Sequence, residues 1–137
     1  KEVCCFIFDI DYFKQINDTY GHSGGDIVLT RIAEACEKLA PSNKLFGRIA
    51  GEEFALMFPD CSLLLAHGYA EDYKNAILAL DFSDVGIQPI VSASFGITST
   101  EISGYDFDKI MGDADSAMYS SKNHGRNKVT PYRKSRR

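Results

Sequence analysis

The sequence lacks three features that would each define a class of protein. It carries no excess of positive charge: the net charge over 137 residues is −4, which argues against broad, sequence-independent binding to nucleic acid. No apolar run is long enough to span a bilayer, and none of these residues form the pattern of a signal peptide. The one concentration of basic residues, at 133–137, is interpreted as a solvated end or linker.

The cysteines do not form a metal or disulfide motif. The four residues Cys4, Cys5, Cys36 and Cys61 show no CxxC spacing and no histidine at zinc-finger distance. We therefore expect buried thiols in a reducing cytoplasm. Cys4 and Cys5 are adjacent in an apparent strand, so their side chains should point to opposite faces.

The hydrophobic pattern predicts one α/β domain over residues 1–137, with a mixed, mostly antiparallel sheet flanked by helices. The expected strands are 3–10, a hairpin of 45–50 and 54–58, 89–98, and a short one at Val129. A short helix is expected at 12–19, with Gly21, Gly24 and Gly25 separating it from a longer helix that begins at Asp26. Further helices are expected over 66–80 and from Phe107 to a stop at Gly125.

Four acidic residues stand at two predicted turns. Asp9 and Asp11 end the first strand, and Glu52 and Glu53 follow Gly51 at the hairpin tip. Because the chain turns after the first strand, only one of the two aspartates need face a common site. Gathered carboxylates repel each other unless a cation neutralises them, and Mg²⁺ does so while holding phosphate oxygens. The pattern indicates a metal-dependent nucleotide enzyme.

A helix start follows the acidic strand end directly, at Tyr12, Phe13 and Lys14. The free N–H groups of a helix start bind anions, and phosphates often lie at such strand-to-helix turns. Lys14 would add a second phosphate contact.

Four segments together resemble the GGDEF family, the diguanylate cyclases. They are FDIDYFKQINDTYGHSGGD (8–26), RIAGEEF (48–54), VSASFGIT (91–98) and ADSAMYSSKNHGRNKV (114–129). The resemblance implies a fold related to nucleotidyl cyclases and palm-type polymerases. It also implies that two GTP molecules are condensed into cyclic di-GMP with release of pyrophosphate, in a homodimer with two Mg²⁺ (or Mn²⁺) ions per active site.

The resemblance assigns a role to each matching residue. Asp9, the carbonyl of Ile10 and Glu52 resemble metal ligands, and Glu53 resembles the acid that holds the second metal or activates the attacking 3′-hydroxyl. The terminal phosphates would be bound by a group of backbone and cationic contacts: Tyr12, Phe13, Lys14, Lys122 and Arg126. Asn17 and Asp26 resemble the pair that reads guanine, and an amide beside a carboxylate matches the O6 acceptor and the N1 and N2 donors of that base.

The chain departs from the family pattern at three places. Ala50 replaces the opening glycine of the signature turn, which would strain the backbone if φ there were positive. The stretch 41–44, Pro-Ser-Asn-Lys, lacks the RxxD motif of the inhibitory product site, so we expect no product inhibition through it. The family's DxLT-type entrance would precede residue 1, as would a sensor domain, and sensor or output domains are expected elsewhere in the full-length protein.

Two functions of different classes follow. The leading hypothesis is a cytoplasmic, Mg²⁺-dependent diguanylate cyclase with no nucleic-acid polymer as partner and no membrane contact of its own, although another domain could anchor the full-length protein. The alternative, prompted by Ala50, is a catalytically impaired GTP-binding module that regulates an attached domain such as a phosphodiesterase. A cyclase that also accepts ATP is a third possibility, which the carboxylate of Asp26 disfavours.

Overall fold

A central five-stranded sheet organises the domain. The computed structural model describes residues 1–134, and their strand order is β2-β3-β1-β4-β5. The strands are β1 (Val3–Ile10), β2 (Leu45–Ala50), β3 (Glu53–Pro59), β4 (Ala93–Ser99) and β5 (Val129–Pro131). All neighbours pair antiparallel except β4 and β5, which are parallel. The predicted mixed, mostly antiparallel sheet is confirmed.

Helices cover both faces of this sheet. They are α1 (Phe13–Lys38), α2 (Leu63–Leu78), α3 (Thr100–Ser103) and α4 (Phe107–Asn123), with one 3-10 turn at Ser83–Val85. The larger hydrophobic core joins the sheet to α1 and α2, and a smaller one joins it to α4. None of the helices within residues 1–134 has the length and apolar character needed to cross a membrane.

The first strand lies at the centre of the fold. Its residues from Cys4 to Ile10 are all buried, because β3 and β4 flank it and helices cover both faces. Cys4 packs in the larger core and Cys5 in the smaller one, as the alternation of strand side chains predicts. All four cysteines are free and buried, which also confirms the prediction made for them.

Two predicted element boundaries are wrong. Within α1 (Phe13–Lys38) a short helix and a longer one meet at a kink at Gly21 (φ 77°, ψ 172°), which confirms the predicted pair of helices. The second helix resumes directly after Gly21, so the predicted breaks at Gly24 and Gly25 and the start at Asp26 are wrong. Gly24 and Gly25 are helical and make close contacts, which is a packing role. The predicted strand at 89–98 begins only at Ala93, because Pro89 has no N–H for a ladder and Ile90 is 76% exposed.

The remaining boundaries shift by a few residues. Helix α2 ends at Leu78, so Leu80 lies beyond it and only packs against the larger core. Of the basic run at the end of the chain, Arg133 and Lys134 are exposed, and residues 135–137 lie outside the described part of the chain.

Candidate active site

The end of β1 and the tip of the β2–β3 hairpin are joined by their backbones. Asp9 and Glu53 are paired across β1 and β3, and the Ile10 N–H donates a hydrogen bond to the Glu52 carbonyl at 3.2 Å. Backbone pairing within the sheet therefore brings together the two acidic turns predicted from the sequence. Asp9, Glu52 and Glu53 lie at one edge of the fold.

The signature turn depends on one glycine. Gly51 has φ +42°, in the left-handed region that disfavours a side chain with a Cβ. Ala50 is the last residue of β2, and positive φ among the described non-glycine residues is confined to Tyr12, Asp60, Arg126 and Asn127. The methyl group of Ala50 therefore causes no left-handed strain, and the structural reason for suspecting this residue is removed.

Asp9 is a buried carboxylate with an unused oxygen. It is 3% exposed, and its Oδ1 has no hydrogen-bond partner among the described residues. Lys122 Nζ lies 3.4 Å from this oxygen, which makes an ion pair without the geometry of a hydrogen bond. Burial raises the pKa of Asp9 to about 7; Lys122 opposes the rise, and Glu52 and Glu53 add to it.

This carboxylate fits a divalent cation. A buried carboxylate oxygen without a donor, close to two further acids, is a ligand set of the kind that hard cations prefer. Within residues 1–134, however, no three carboxylate, histidine or cysteine side chains are already gathered as a complete cation site. Side chains alone therefore do not complete a cation site here, and backbone carbonyls or substrate phosphate oxygens would supply the remaining ligands.

Asp11 has a structural role. Its carboxylate accepts hydrogen bonds from Ser92 Oγ and Ser94 Oγ, both at 2.6 Å, and from the Asn127 N–H at 3.1 Å. It therefore joins the end of β1 to the start of β4 and to the loop after α4. These contacts occupy the carboxylate of Asp11, so Asp9 is the aspartate of this strand end that stays the candidate metal ligand.

The predicted phosphate contacts lie where α1 begins. Tyr12 is left-handed (φ 57°) and its side chain makes no cap, so the first N–H groups of α1 remain available. Arg126 places its guanidinium 4.6 Å from the centre of the Tyr12 ring, and its buried Nε has no hydrogen-bond partner among the described residues. Lys14 instead pairs with Asp18 at 3.1 Å on the exposed side of the helix.

The predicted guanine-reading pair shares one cleft with the signature turn. Its volume is about 320 Å³, and its lining includes Phe13, Asn17, Asp26, Gly51 and Glu52. Gly25 makes room for the amide of Asn17: a Cβ built on Gly25 would lie 1.8 Å from Asn17 Oδ1. The cleft runs from the start of α1 to the hairpin tip, as a bound nucleoside triphosphate would require.

The sequence analysis assigned no role in the site to three residues that lie near it. His22 and Arg48 line the cleft, and Arg48 Nε donates to the Gly51 carbonyl at 2.6 Å. Burial raises the pKa of Glu53, and Asp115 on α4 adds to the rise. Arg48 stands only three residues before Gly51, a spacing that could have signalled its contact with the turn; Asp115 carries no comparable signal because its neighbour is distant in sequence.

The fold matches that of solved GGDEF cyclase domains. The chain belongs to the family described as diguanylate cyclase, GGDEF domain, whose model matches residues 1–128.

Individual relatives are similar over nearly the whole chain. Diguanylate cyclase VdcA of Vibrio cholerae is 37% identical over an alignment of 137 residues, which covers 96% of this chain and 39% of that protein. The active GGEEF domain of a diguanylate cyclase from Vibrio cholerae superposes with a TM-score of 0.91 at 30% identity, covering 98% of this chain and 85% of the other. The GGDEF domain of DgcB from Caulobacter crescentus, solved in complex with c-di-GMP, gives 0.86 at 31% identity and covers 95% and 77%. The chain spans 39%, 11% and 33% of three curated relatives that it matches.

Proposed function

We propose that this domain is a diguanylate cyclase that condenses two GTP molecules into cyclic di-GMP and releases pyrophosphate. The observation that carries the proposal is the hydrogen bond between Ile10 and Glu52, together with the pairing of Asp9 and Glu53. These contacts bring the acidic turn to one end of a cleft that also contains Asn17 and Asp26. Family membership supports the same reaction.

Different residues of the chain bind different parts of the substrate. Asn17 and Asp26 bind the guanine edge, because an amide and a carboxylate offer the donor and acceptors that O6, N1 and N2 require. The N–H groups of Tyr12 and Phe13 hold the terminal phosphates at the helix start. Arg126, with its unpaired buried Nε, neutralises the phosphate tail together with Lys122, while Lys14 must leave Asp18 to do so.

Asp9, the Ile10 carbonyl, Glu52 and Glu53 would hold the metal. Cyclases of this family generally use divalent metal ions, and we assign two Mg²⁺ (or Mn²⁺) ions to this site. When bound, they would stabilise charge on the phosphates during displacement of pyrophosphate. Glu53 would either hold the second metal or take the proton of the attacking 3′-hydroxyl; burial and the nearby acids raise its pKa above that of an ordinary glutamate, which suits the second role.

The reaction needs two copies of the domain, because each cleft accommodates one GTP and two phosphodiester bonds must form. We therefore propose a homodimer with facing sites. The cytoplasm, which keeps four free thiols reduced, is the proposed compartment, and sensor or output domains are the proposed neighbours in a longer protein.

Product inhibition through residues 41–44 is not expected. Lys44, the one charged residue there, donates its Nζ to the carbonyls of Leu39 at 2.6 Å and Glu37 at 3.2 Å. It therefore caps the end of α1 and is not free to bind a nucleotide.

The alternative, a GTP-binding module without turnover, loses its main support. It was motivated by Ala50, and Ala50 sits in extended strand without left-handed strain. Ala50 is also absent from the described lining of the cleft, so its methyl group leaves the nucleotide site open.

A product assay tests the proposal. The domain is incubated at high concentration with GTP and Mg²⁺, and the nucleotides are separated; cyclic di-GMP and pyrophosphate are expected. Glu53→Gln, which is nearly isosteric, should bind GTP but form no product. Bound GTP without any cyclic dinucleotide from the unaltered domain would leave only the binding-module alternative.

A further inference from the structure

Arg48 lines the proposed nucleotide cleft beside the signature turn. Together with Leu29 it lines both the nucleotide cleft and a neighbouring groove of about 300 Å³, whose other walls include Thr30 and Ala33. Thr30 and Ala33 lie further along α1 than Asn17 and Asp26. Arg48 therefore lies between this neighbouring groove and the cleft that Asn17 and Asp26 also line.

The guanidinium of Arg48 is anchored but not saturated. Its Nε donates to the Gly51 carbonyl at 2.6 Å, which fixes the side chain against the signature turn. No other hydrogen bond or ion pair of this guanidinium is found within residues 1–134. Its two terminal amino groups, which are obligate donors, therefore remain available to a ligand in the cleft.

Resting on the function proposed above, we propose that Arg48 is a third guanine-reading residue that binds the N7 and O6 edge of the base. Guanine presents two acceptors on this edge, and arginine is the side chain that most often pairs with them. Asn17 and Asp26 account for O6, N1 and N2 but leave N7 without a partner. Adenine carries an amino group in place of O6, so Arg48 also disfavours ATP.

Paired nucleotide analogues test this role separately from turnover. GDP, 7-deaza-GDP and IDP lack the pyrophosphate leaving group and can be titrated calorimetrically without reaction. Compared with GDP, 7-deaza-GDP lacks only N7, and IDP lacks only the 2-amino group that Asp26 is proposed to bind. The domain should bind GDP at least about fivefold more tightly than 7-deaza-GDP, as expected for one charge-assisted hydrogen bond.

The variants should separate the two edges of the base. Arg48→Ala should bring the GDP to 7-deaza-GDP ratio close to one and leave the GDP to IDP ratio unchanged, and Asp26→Ser should do the reverse. Arg48→Lys preserves the charge, but its ammonium group cannot contact the Gly51 carbonyl and the base at the same time. This variant should therefore also lower the ratio of GDP to 7-deaza-GDP binding, called here the N7 ratio. Lys38→Ala removes an exposed cation at the end of α1 and should change neither ratio.

The outcomes are distinguishable. If the unaltered domain binds GDP but does not discriminate against 7-deaza-GDP, or if a folded Arg48 variant keeps the full N7 ratio, the role of Arg48 is refuted and the proposed function stands. If the unaltered domain binds no guanine nucleotide, both proposals fail. If Arg48→Ala does not fold, the role of Arg48 is decided by Arg48→Lys together with the ratio of GDP to 7-deaza-GDP binding in the unaltered domain.

Discussion

Replacing Gly25 by alanine should separate guanine binding from folding. A Cβ at this position would lie 1.8 Å from Asn17 Oδ1, 3.0 Å from Asn17 Cγ and 3.0 Å from Phe13 Cζ. The amide is the far end of a side chain and can swing away at little cost. To reach an ordinary contact of 3.4 Å, its oxygen must move by about 1.6 Å. The base contact of Asn17 is then lost.

The two effects of Gly25→Ala have opposite signs. Alanine is a better helix former than glycine by about 1 kcal/mol, so the free energy of unfolding should stay level or rise slightly. The loss of one hydrogen bond to the base, worth about 1 kcal/mol, together with the clash should weaken GDP binding by about tenfold. Thermal unfolding and calorimetric titration measure the two quantities on the same sample.

Gly112→Ala is the matched control. This glycine lies inside α4, and a Cβ on it would meet nothing within 4 Å, so stability should rise by about 1 kcal/mol with no change in GDP binding. A folded Gly25→Ala variant that binds GDP as tightly as the unaltered domain would refute the placement of Asn17 at the base.

Further predictions concern the turn, the core and the partly exposed ion pair of Lys109 with Asp113. Gly51→Ala should lower the free energy of unfolding by about 1–2 kcal/mol in urea titrations because φ is +42°, whereas Ala50→Gly should leave the rate of cyclic di-GMP formation within about threefold. Gly96→Ala should prevent stable folding, seen by circular dichroism, because its Cβ would lie 2.0 Å from the backbone nitrogen of Met118. Burial would raise the pKa of Asp113, but hydrogen bonds from Lys109 and Ser103 outweigh it and lower the pKa. Asp113→Asn should therefore destabilise the domain by about 1–2 kcal/mol at pH 7, and the difference should vanish as the pH falls through that lowered pKa.

Each of these three has a contradicting result. Equal stability of Gly51→Ala and the unaltered domain would show that the turn does not need its left-handed residue. A fully folded Gly96→Ala variant would contradict the close packing of α4 on β4. A destabilisation by Asp113→Asn that persists at low pH would show that shape, and not charge, is what Asp113 contributes.

The sequence predicts the sheet well because its strands carry strong local signals. The run from Val3 to Ile10 is apolar on both faces, and the structure buries it between two strands and two helical layers. The hairpin around Gly51 is equally clear, since a glycine with two acids interrupts two apolar stretches. Element type in such segments follows directly from residue pattern.

The sequence misleads where glycine has two possible roles. Gly21 breaks α1 through a positive φ, but Gly24 and Gly25 continue the helix and serve close packing against Tyr20 and Asn17. Nothing local distinguishes a glycine needed for its φ from one needed for its size. The contacts that decide the matter form only after the helix packs.

The sequence predicted which residues belong to the candidate site better than it predicted the contacts that those residues make. The pattern of acidic turns supplied Asp9 and Glu52, and the family resemblance supplied the guanine-reading pair. It did not reveal that Lys122 lies beside Asp9, that Lys14 pairs with Asp18, or that Arg48 holds the turn. Each contact is made by a side chain, and that of Lys122 joins distant parts of the chain, so residue patterns alone do not specify them.

The central claim is that the acids of β1 and of the hairpin tip together hold divalent ions beneath a triphosphate. The most direct test is a crystal structure with Mn²⁺ and a GTP analogue that cannot release pyrophosphate, using the anomalous signal of manganese. Anomalous peaks are expected within coordination distance of Asp9 and Glu52, with the base beside Asn17 and Asp26. Nucleotide bound in the cleft with no manganese at these carboxylates would contradict the account.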